Sequence, residues 1–199
     1  MKLPKAKKIN SEKYLVGPST FGKKQARIKL SANESALGPS PKAIKEYNEI
    51  SKSFKRYPPD DNMLRNILAK KFRLNSERII LGSGSDQIIE LICKSFLNKN
   101  DEVIVPKYSF IVYRIYSKIN GAKVFFAKEN NFTISINNIL SYVTKKTKII
   151  FLANPNNPTG TYINKKDLIN LRKKLRSDIL LVVDDAYYEY VKKKIITRV

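Results

Sequence analysis

Short apolar runs alternate with amphipathic segments along most of the chain. Apolar side chains at helical spacing predict helices over residues 62–72, 87–97, 110–119, 137–143 and 165–176. Continuous apolar runs predict strands over residues 78–81, 102–105, 122–127, 148–153 and 179–183. Strands that are apolar throughout are typical of a parallel sheet buried on both faces. The pattern therefore predicts an α/β fold with three α/β/α layers around a mostly parallel sheet.

The first 30 residues do not share this alternation, and we interpret residues 1–30 as an N-terminal arm. A chain of 199 residues is long enough to bury a core, and residues 31–199 are expected to belong to one domain.

The charge of the chain is strongly positive, with 39 Lys and Arg against 17 Asp and Glu and a net charge of +22. Such a charge raises the question of a nucleic-acid partner. The lysines are scattered, however, with no basic block or aromatic-interleaved stripe, and Asn and Ile are abundant too. Since Lys, Asn and Ile share A/T-rich codons, genome composition is the preferred explanation, and we expect no nucleic-acid partner.

Histidine is absent and Cys93 is the single cysteine. A protein zinc site and a disulfide framework are therefore not expected, and Cys93 is interpreted as a small buried apolar residue. No apolar run approaches the ~20 residues of a membrane span, and the N-terminus lacks a secretory h-region. We expect a cytoplasmic protein with no membrane partner.

Candidate binding residues follow the predicted strands, where open parallel sheets bind their ligands. The segment GSGSD (82–86) follows the first strand and opens a helix, which suits a phosphate; a tight turn with Asp86 as the helix N-cap is equally open. Aromatic, amide, carboxylate and phenol groups follow the later strands: Tyr108 and Phe110, Asn156 and Asn157, then Asp184, Asp185 and Tyr187.

These groups together match the needs of pyridoxal 5′-phosphate. Its phosphate favours a helix N-terminus, and its ring favours an aromatic face. Its phenolate oxygen needs hydrogen-bond donors, and its pyridine nitrogen needs a carboxylate. For the aromatic side chains, simple core packing stays open at this point.

Six segments carry a family resemblance: KLSANES (29–35), GPSPKAI (38–44), RYP (56–58), GSGSDQIIEL (82–91), NPNNPTG (154–160) and VVDDAY (182–187). They resemble the class I/II aminotransferases, pyridoxal-phosphate enzymes of fold type I, and most of all the histidinol-phosphate branch. The resemblance runs from about residue 28 to 191. It implies the incomplete large domain of such an enzyme, without the small C-terminal domain.

The resemblance implies a role for each cofactor contact. Ser85, Asp86 and Gln87 would hold the cofactor phosphate. Phe110 would stack on the pyridine ring, with Tyr108 as the second choice.

Further roles follow from the same resemblance. Asn157 and Tyr187 would donate to the phenolate oxygen, and Asp184 would pair with the pyridine nitrogen. Tyr57 would reach the cofactor phosphate of a neighbouring subunit, which implies a homodimer. Asn33 would lie near the substrate, although NESALG departs from the usual family motif there.

The implied reaction is a transamination in histidine biosynthesis, between glutamate/2-oxoglutarate and histidinol phosphate/imidazole acetol phosphate. A threonine-phosphate decarboxylase, an aromatic aminotransferase and a non-catalytic remnant stay open as alternatives. The family's Schiff-base lysine has no counterpart here, because Lys192–Lys194 follow Asp184 too closely. We therefore expect a truncated, poorly soluble chain that is inactive alone and whose tail KKKIITRV is out-of-frame text.

Overall fold

The computed structural model describes residues 31–57 and 62–191, together with positions 12, 14, 20, 21, 24, 25, 28 and 29. The chain divides into two compact units. One is Tyr14–Leu81, and the other is Gly82–Val199 together with Met1–Lys13. Most of the arm predicted over residues 1–30 lies outside the described residues, so the boundary at residue 30 stays a prediction.

The unit Tyr14–Leu81 is mainly helical. Its elements are the antiparallel pair β1 (Thr20–Phe21) and β2 (Lys24–Gln25), helices α1 (Pro41–Ser51) and α2 (Asn62–Phe72), and a 3-10 turn over Ser76–Arg78. Helix α2 has the predicted bounds. The sequence analysis missed α1, although its start signal is plain: Ser40 Oγ accepts the Ala43 N–H at 3.4 Å, and Pro41 occupies the first turn.

The strand predicted over residues 78–81 is not formed. Ile79 has extended backbone angles (φ −113°, ψ 124°), but no described strand pairs with this segment, and Ile80 is 75% exposed. A strand requires a neighbour to take up its main-chain donors and acceptors. An apolar run predicts the extended backbone but does not supply that neighbour.

The second unit alternates helices and strands: α3 (Gly84–Phe96), β3 (Glu102–Pro106), α4 (Ile111–Ile119), β4 (Lys123–Ala127), α5 (Ile136–Ser141), β5 (Thr147–Ala153), α6 (Lys165–Lys174), β6 (Leu180–Asp184) and a 3-10 turn (Tyr188–Tyr190). Every element predicted from residue 87 onward is present, with bounds shifted by at most three residues.

The four strands of this unit form one parallel sheet in the order β4-β3-β5-β6. Their carboxyl ends lie together, since Pro106 pairs with Ala127 and Ala153 pairs with Asp184. Among the described residues β6 pairs with β5 alone. The loops that follow these strands share one edge of the sheet.

Helices cover both faces of the sheet. On one face α3 and α4 pack against Val103, Val105 and Phe151, and on the other α5 and α6 pack against Ile150 and Leu152. The α/β class and the three layers are thereby confirmed. The central positions of the strands are apolar because they pack against helices on both faces, and burial is most complete in β3 and β5.

Cys93 lies in the α3 side of the core and is fully buried. Burial raises the pKa of its thiol to about 11, with a smaller opposing effect from the Ser117 hydroxyl. The interpretation of Cys93 as a buried apolar residue is confirmed. Within the described part of the chain, no helix combines the length and the apolar composition that crossing a membrane requires.

Candidate functional site

A tight turn begins α3. Gly84 has a φ of +78°, and Gln87 Oε1 accepts the Ser83 N–H at 2.7 Å. A Cβ on Gly82 would lie 2.8 Å from Ile88 Cδ1, so a side chain there would require Ile88 to move. The N-cap is Ser83 and not Asp86, which lies in the first turn of the helix. The tight turn is therefore present, but the capping alternative for Asp86 is wrong.

The first turn of α3 faces the carboxyl edge of the sheet. The helix packs on the sheet through Ile89 and Cys93, and it ends shortly before β3 begins at the opposite edge. Ser85, Asp86 and Gln87 are exposed at its start. The main-chain N–H groups of a helix start attract an anion, and this turn is positioned to offer them.

The two candidate aromatic residues have different surroundings. The half-buried Phe110 meets Tyr113 edge to face, with ring centroids 5.7 Å apart. Tyr108 is more exposed; its ring lies against Phe132 at 5.6 Å, and Lys107 Nζ lies 5.0 Å from its centroid. Phe110 is therefore the aromatic residue that belongs to the ring cluster next to Asp184.

The first asparagine of NPNNPTG holds the loop that follows β5. Asn154 is fully buried, its amide donates to the Ile163 carbonyl at 3.1 Å, and its side-chain carbonyl accepts the Ile163 N–H at 2.9 Å. Its own main-chain N–H donates to the Asp184 carbonyl at 2.9 Å. This bond fixes the start of the loop beside Asp184.

Asn156 and Asn157 were both candidates, and their hydrogen bonds distinguish them. The buried Asn156 amide donates to the Tyr108 carbonyl at 2.7 Å and to Thr159 Oγ1 at 2.9 Å, and its side-chain oxygen accepts from Ser109 Oγ at 2.8 Å. Asn157 is half-buried and makes no side-chain hydrogen bond to any described residue. Asn156 therefore links the loop after β3 to the loop after β5, whereas the amide of Asn157 is available to bind a ligand.

Asp184 ends β6, and its carboxylate receives two donors. Tyr113 Oη donates to Oδ2 at 2.7 Å, and the Ala186 N–H donates to Oδ1 at 3.1 Å. Sequence reasoning missed Tyr113, because a tyrosine on the core face of a helix gives no signal of a polar contact. The carboxylate is thus held from α4 and from its own loop.

Tyr187 is half-buried and has its ring 6.5 Å from that of Tyr190. Burial, followed by the charge and hydrogen bond of Asp184 and the proximity of Tyr187, raises the pKa of Tyr113 far above its usual range. The raised pKa keeps the Tyr113 hydroxyl neutral near neutral pH, so it acts there as a hydrogen-bond donor. Asp185 is half-buried beside Asp184.

The remaining predicted residues lie elsewhere. Asn33 and Tyr57 belong to the unit Tyr14–Leu81, where Tyr57 is 99% exposed, and their roles stay predictions. Lys192–Lys194 and the tail to residue 199 lie outside the described residues.

The model of the aminotransferase class I and II family matches residues 26–198. The chain belongs to this family. The match continues seven residues beyond residue 191, where we expected the resemblance to stop. It therefore gives no support to the expectation that the tail is out-of-frame text.

Relatives with curated names are histidinol-phosphate aminotransferases. That of Pelagibacter ubique is 54% identical over 195 residues, which cover 98% of this chain and 54% of the relative. That of Paramagnetospirillum magneticum is 41% identical over 181 residues, which cover 90% of this chain and 50% of the relative. The chain thus spans about half the length of the curated relatives it matches.

Solved structures agree on the fold. A histidinol-phosphate aminotransferase from Sinorhizobium meliloti, in complex with pyridoxal-5′-phosphate, superimposes with a TM-score of 0.79 at 22% identity, over 83% of this chain and 45% of that one. A protein from Erwinia carotovora described as a putative histidinol-phosphate aminotransferase gives 0.79 at 27% identity, over 84% and 49%. The expected aminotransferase fold is confirmed.

Proposed function

We propose that this chain carries the pyridoxal 5′-phosphate site of an aminotransferase that acts on histidinol phosphate. One observation carries the proposal. The loop that presents the uncommitted amide of Asn157 is fixed beside the carboxylate of Asp184 by the bond between the Asn154 N–H and the Asp184 carbonyl. A hydrogen-bond donor and an acid at one sheet edge suit the two polar atoms of the cofactor ring.

The first turn of α3 fits the cofactor phosphate. Ser85 supplies a hydroxyl and Gln87 an amide nitrogen, since Gln87 uses only its oxygen to bind Ser83. The carboxylate of Asp86 would accept a hydrogen bond from a water bound to the phosphate or from a neighbouring donor. The main-chain N–H groups would bind the phosphate itself. Gly84, with its positive φ, allows the sharp turn that precedes these main-chain N–H groups.

The ring would lie on Phe110 with its nitrogen at Asp184. When bound, pyridoxal 5′-phosphate takes up the substrate amino group and withdraws electrons through its protonated ring. Asp184 would hold the proton on the ring nitrogen. Asn157 and Tyr187 would donate to the phenolate oxygen and so set the in-plane orientation of the ring.

We also infer the substrates, the assembly and the location from the similarity of the chain to its relatives. The two relatives described above are named histidinol-phosphate aminotransferases, which supports histidinol phosphate as the amine substrate and 2-oxoglutarate and glutamate as the keto-acid and amino-acid pair. We infer a homodimer in which Tyr57 reaches the partner's cofactor phosphate. We also infer that Asn33 lies near the substrate and that the protein is cytoplasmic.

Binding of pyridoxamine 5′-phosphate to the 199-residue chain tests the cofactor site. This form has no aldehyde, so it cannot react with the many surface lysines. We expect saturable binding in equilibrium dialysis that Asn157→Ala and Asp184→Asn each weaken at least about tenfold, which corresponds to roughly 1.4 kcal/mol.

Asn170→Ala is the matched control, because Asn170 is an exposed asparagine on α6. It should leave the affinity unchanged. Absence of saturable binding by the folded wild-type chain, or equal affinities for the wild-type and Asn157→Ala chains, would overturn the proposal.

A further inference from the structure

Tyr113 contacts both the carboxylate of Asp184 and the aromatic rings of Phe110 and Phe151. It is 0% exposed, and its hydroxyl donates to Asp184 Oδ2 at 2.7 Å. The pair joins α4 to the end of β6 across 71 positions of sequence. No other hydrogen bond of the Tyr113 hydroxyl occurs within the described part of the chain.

The direction of this hydroxyl is set by packing on two sides of the ring and by a hydrogen bond to the main chain of Tyr113. The Tyr113 ring stacks on Phe151 at 5.0 Å and 2° between the planes, and Phe110 meets it edge to face at 5.7 Å. Its main-chain carbonyl accepts Ser117 Oγ at 2.7 Å. A ring held in this way cannot swing to follow the carboxylate, so the carboxylate must align to the ring.

The two oxygens of Asp184 are each held by one donor, one from Tyr113 and one from the Ala186 N–H. An ionised carboxylate has about four lone-pair sites, so acceptor capacity remains for a third donor. With one donor on each oxygen, the carboxylate group is held in one orientation, and each oxygen keeps a lone-pair site for a further donor. A protonated pyridine nitrogen needs such a fixed acceptor.

We propose that Tyr113 is a positioning residue for the cofactor, orienting Asp184 toward the pyridine nitrogen while its ring supports the stacking face of Phe110. This inference rests on the proposed function. It assigns Tyr113 an effect on cofactor affinity that passes through Asp184. A buried tyrosine that only stabilised the core would change the folding stability, and its effect on cofactor affinity would not depend on Asp184.

The experiment combines Tyr113→Phe with Asp184→Asn in a double-mutant cycle on the full chain. Tyr113→Phe removes one oxygen and keeps the ring. We expect it to weaken pyridoxamine 5′-phosphate binding about tenfold in the wild-type background, and to have no further effect in the Asp184→Asn background. Circular dichroism checks that each variant is folded.

Tyr116→Phe is the matched control. Tyr116 lies on the same helix, is half-buried, and has no hydroxyl hydrogen bond within the described residues. Its removal should leave the affinity unchanged. An equal loss from Tyr116→Phe, or the same loss from Tyr113→Phe in both backgrounds, would reduce Tyr113 to a structural residue and overturn the inference.

A measurement on the wild-type chain covers the case in which Tyr113→Phe does not fold. With tyrosine labelled at Cζ, saturation with pyridoxamine 5′-phosphate should shift the Tyr113 carbon resonance and leave that of Tyr116 in place. An unmoved Tyr113 resonance in a saturated protein contradicts the inference while leaving the proposed function intact. A folded wild-type chain that binds no cofactor overturns both.

Discussion

The two units of the chain bury their apolar residues to very different extents. Every buried apolar residue of the described chain except Ala69 belongs to the unit that contains the sheet. In Tyr14–Leu81, helix α1 has no buried residue, and its Ile44, Tyr47 and Ile50 are exposed. The sheet unit is therefore stabilised by a buried core, whereas the helices of Tyr14–Leu81 depend on local interactions such as the Ser40 cap.

This difference separates two sources of structure. Helix caps and propensity each contribute about 1 kcal/mol or less, which defines where a helix begins but does not hold it against unfolding. Burial of a Leu, Ile or Phe side chain contributes about 1.5–3 kcal/mol each. We therefore expect the stability of the chain to lie in the sheet unit, where all the candidate cofactor residues except Tyr57 also lie.

Hydrogen exchange gives the largest expected contrast. The amides of Ile149–Leu152 in the central strand β5 should exchange at least about 1,000-fold more slowly than those of α1, because opening them requires loss of the whole core. Mass spectrometry of peptic fragments measures both segments in one sample, and the unfolded chain in denaturant is the reference. Equal protection of α1 and β5 would refute the contrast.

Two leucines on helices give a matched comparison. Leu171 on α6 is 0% exposed, whereas Leu64 on α2 is 48% exposed. Leu171→Ala should lower the free energy of unfolding by about 2–5 kcal/mol, through lost burial and a cavity, and Leu64→Ala by less than about 0.5 kcal/mol. Urea denaturation followed by circular dichroism measures both. Similar losses would show that α2 is held as firmly as α6.

The same contrast explains which elements the sequence predicted. From residue 84 onward each apolar run meets its packing partner within this chain, so periodicity alone located the helices and strands. The run at 78–81 is as apolar as the others, yet it forms no strand because no described strand pairs with it. Helix α1 was missed although its cap and the helical spacing of Ile44, Tyr47 and Ile50 both signal it.

The candidate site was predictable in its positions and not in its contacts. Strand ends located Asp184 and the asparagine loop, since parallel strands present their following residues at one edge. The resemblance already assigned the phenolate contact to Asn157, but the bond of Asn156 to Ser109, which is 47 positions away in sequence, gave no sequence signal. Tyr113 gave no sequence signal, because its polar contact crosses from a helix to a strand that is 71 positions away.

Asn156 and Asn157 give the next comparison, within the sheet unit. Asn156→Ala removes a buried amide that bonds to Tyr108, Ser109 and Thr159, and should cost about 1–3 kcal/mol of unfolding free energy. Asn157→Ala should cost less than about 0.5 kcal/mol, because no described group loses a partner. Urea titrations of both variants measure the difference. Equal costs would mean that Asn157 has a structural role as well.

The smallest expected effect is the alkaline pH dependence of stability. The pKa of Tyr113 is raised in the folded chain by burial and by Asp184, so the unfolded chain loses this proton first, above about pH 10. Neutral Tyr113 therefore stabilises the fold fully below that pH and progressively less above it. Between pH 9 and 10.5 the wild-type chain should lose about 0.8 kcal/mol more unfolding free energy than Tyr113→Phe. Parallel pH dependence in the two chains would show that Tyr113 can ionise within the folded sheet unit. Its hydroxyl would then be more accessible to water than the packing of Phe110 and Phe151 indicates.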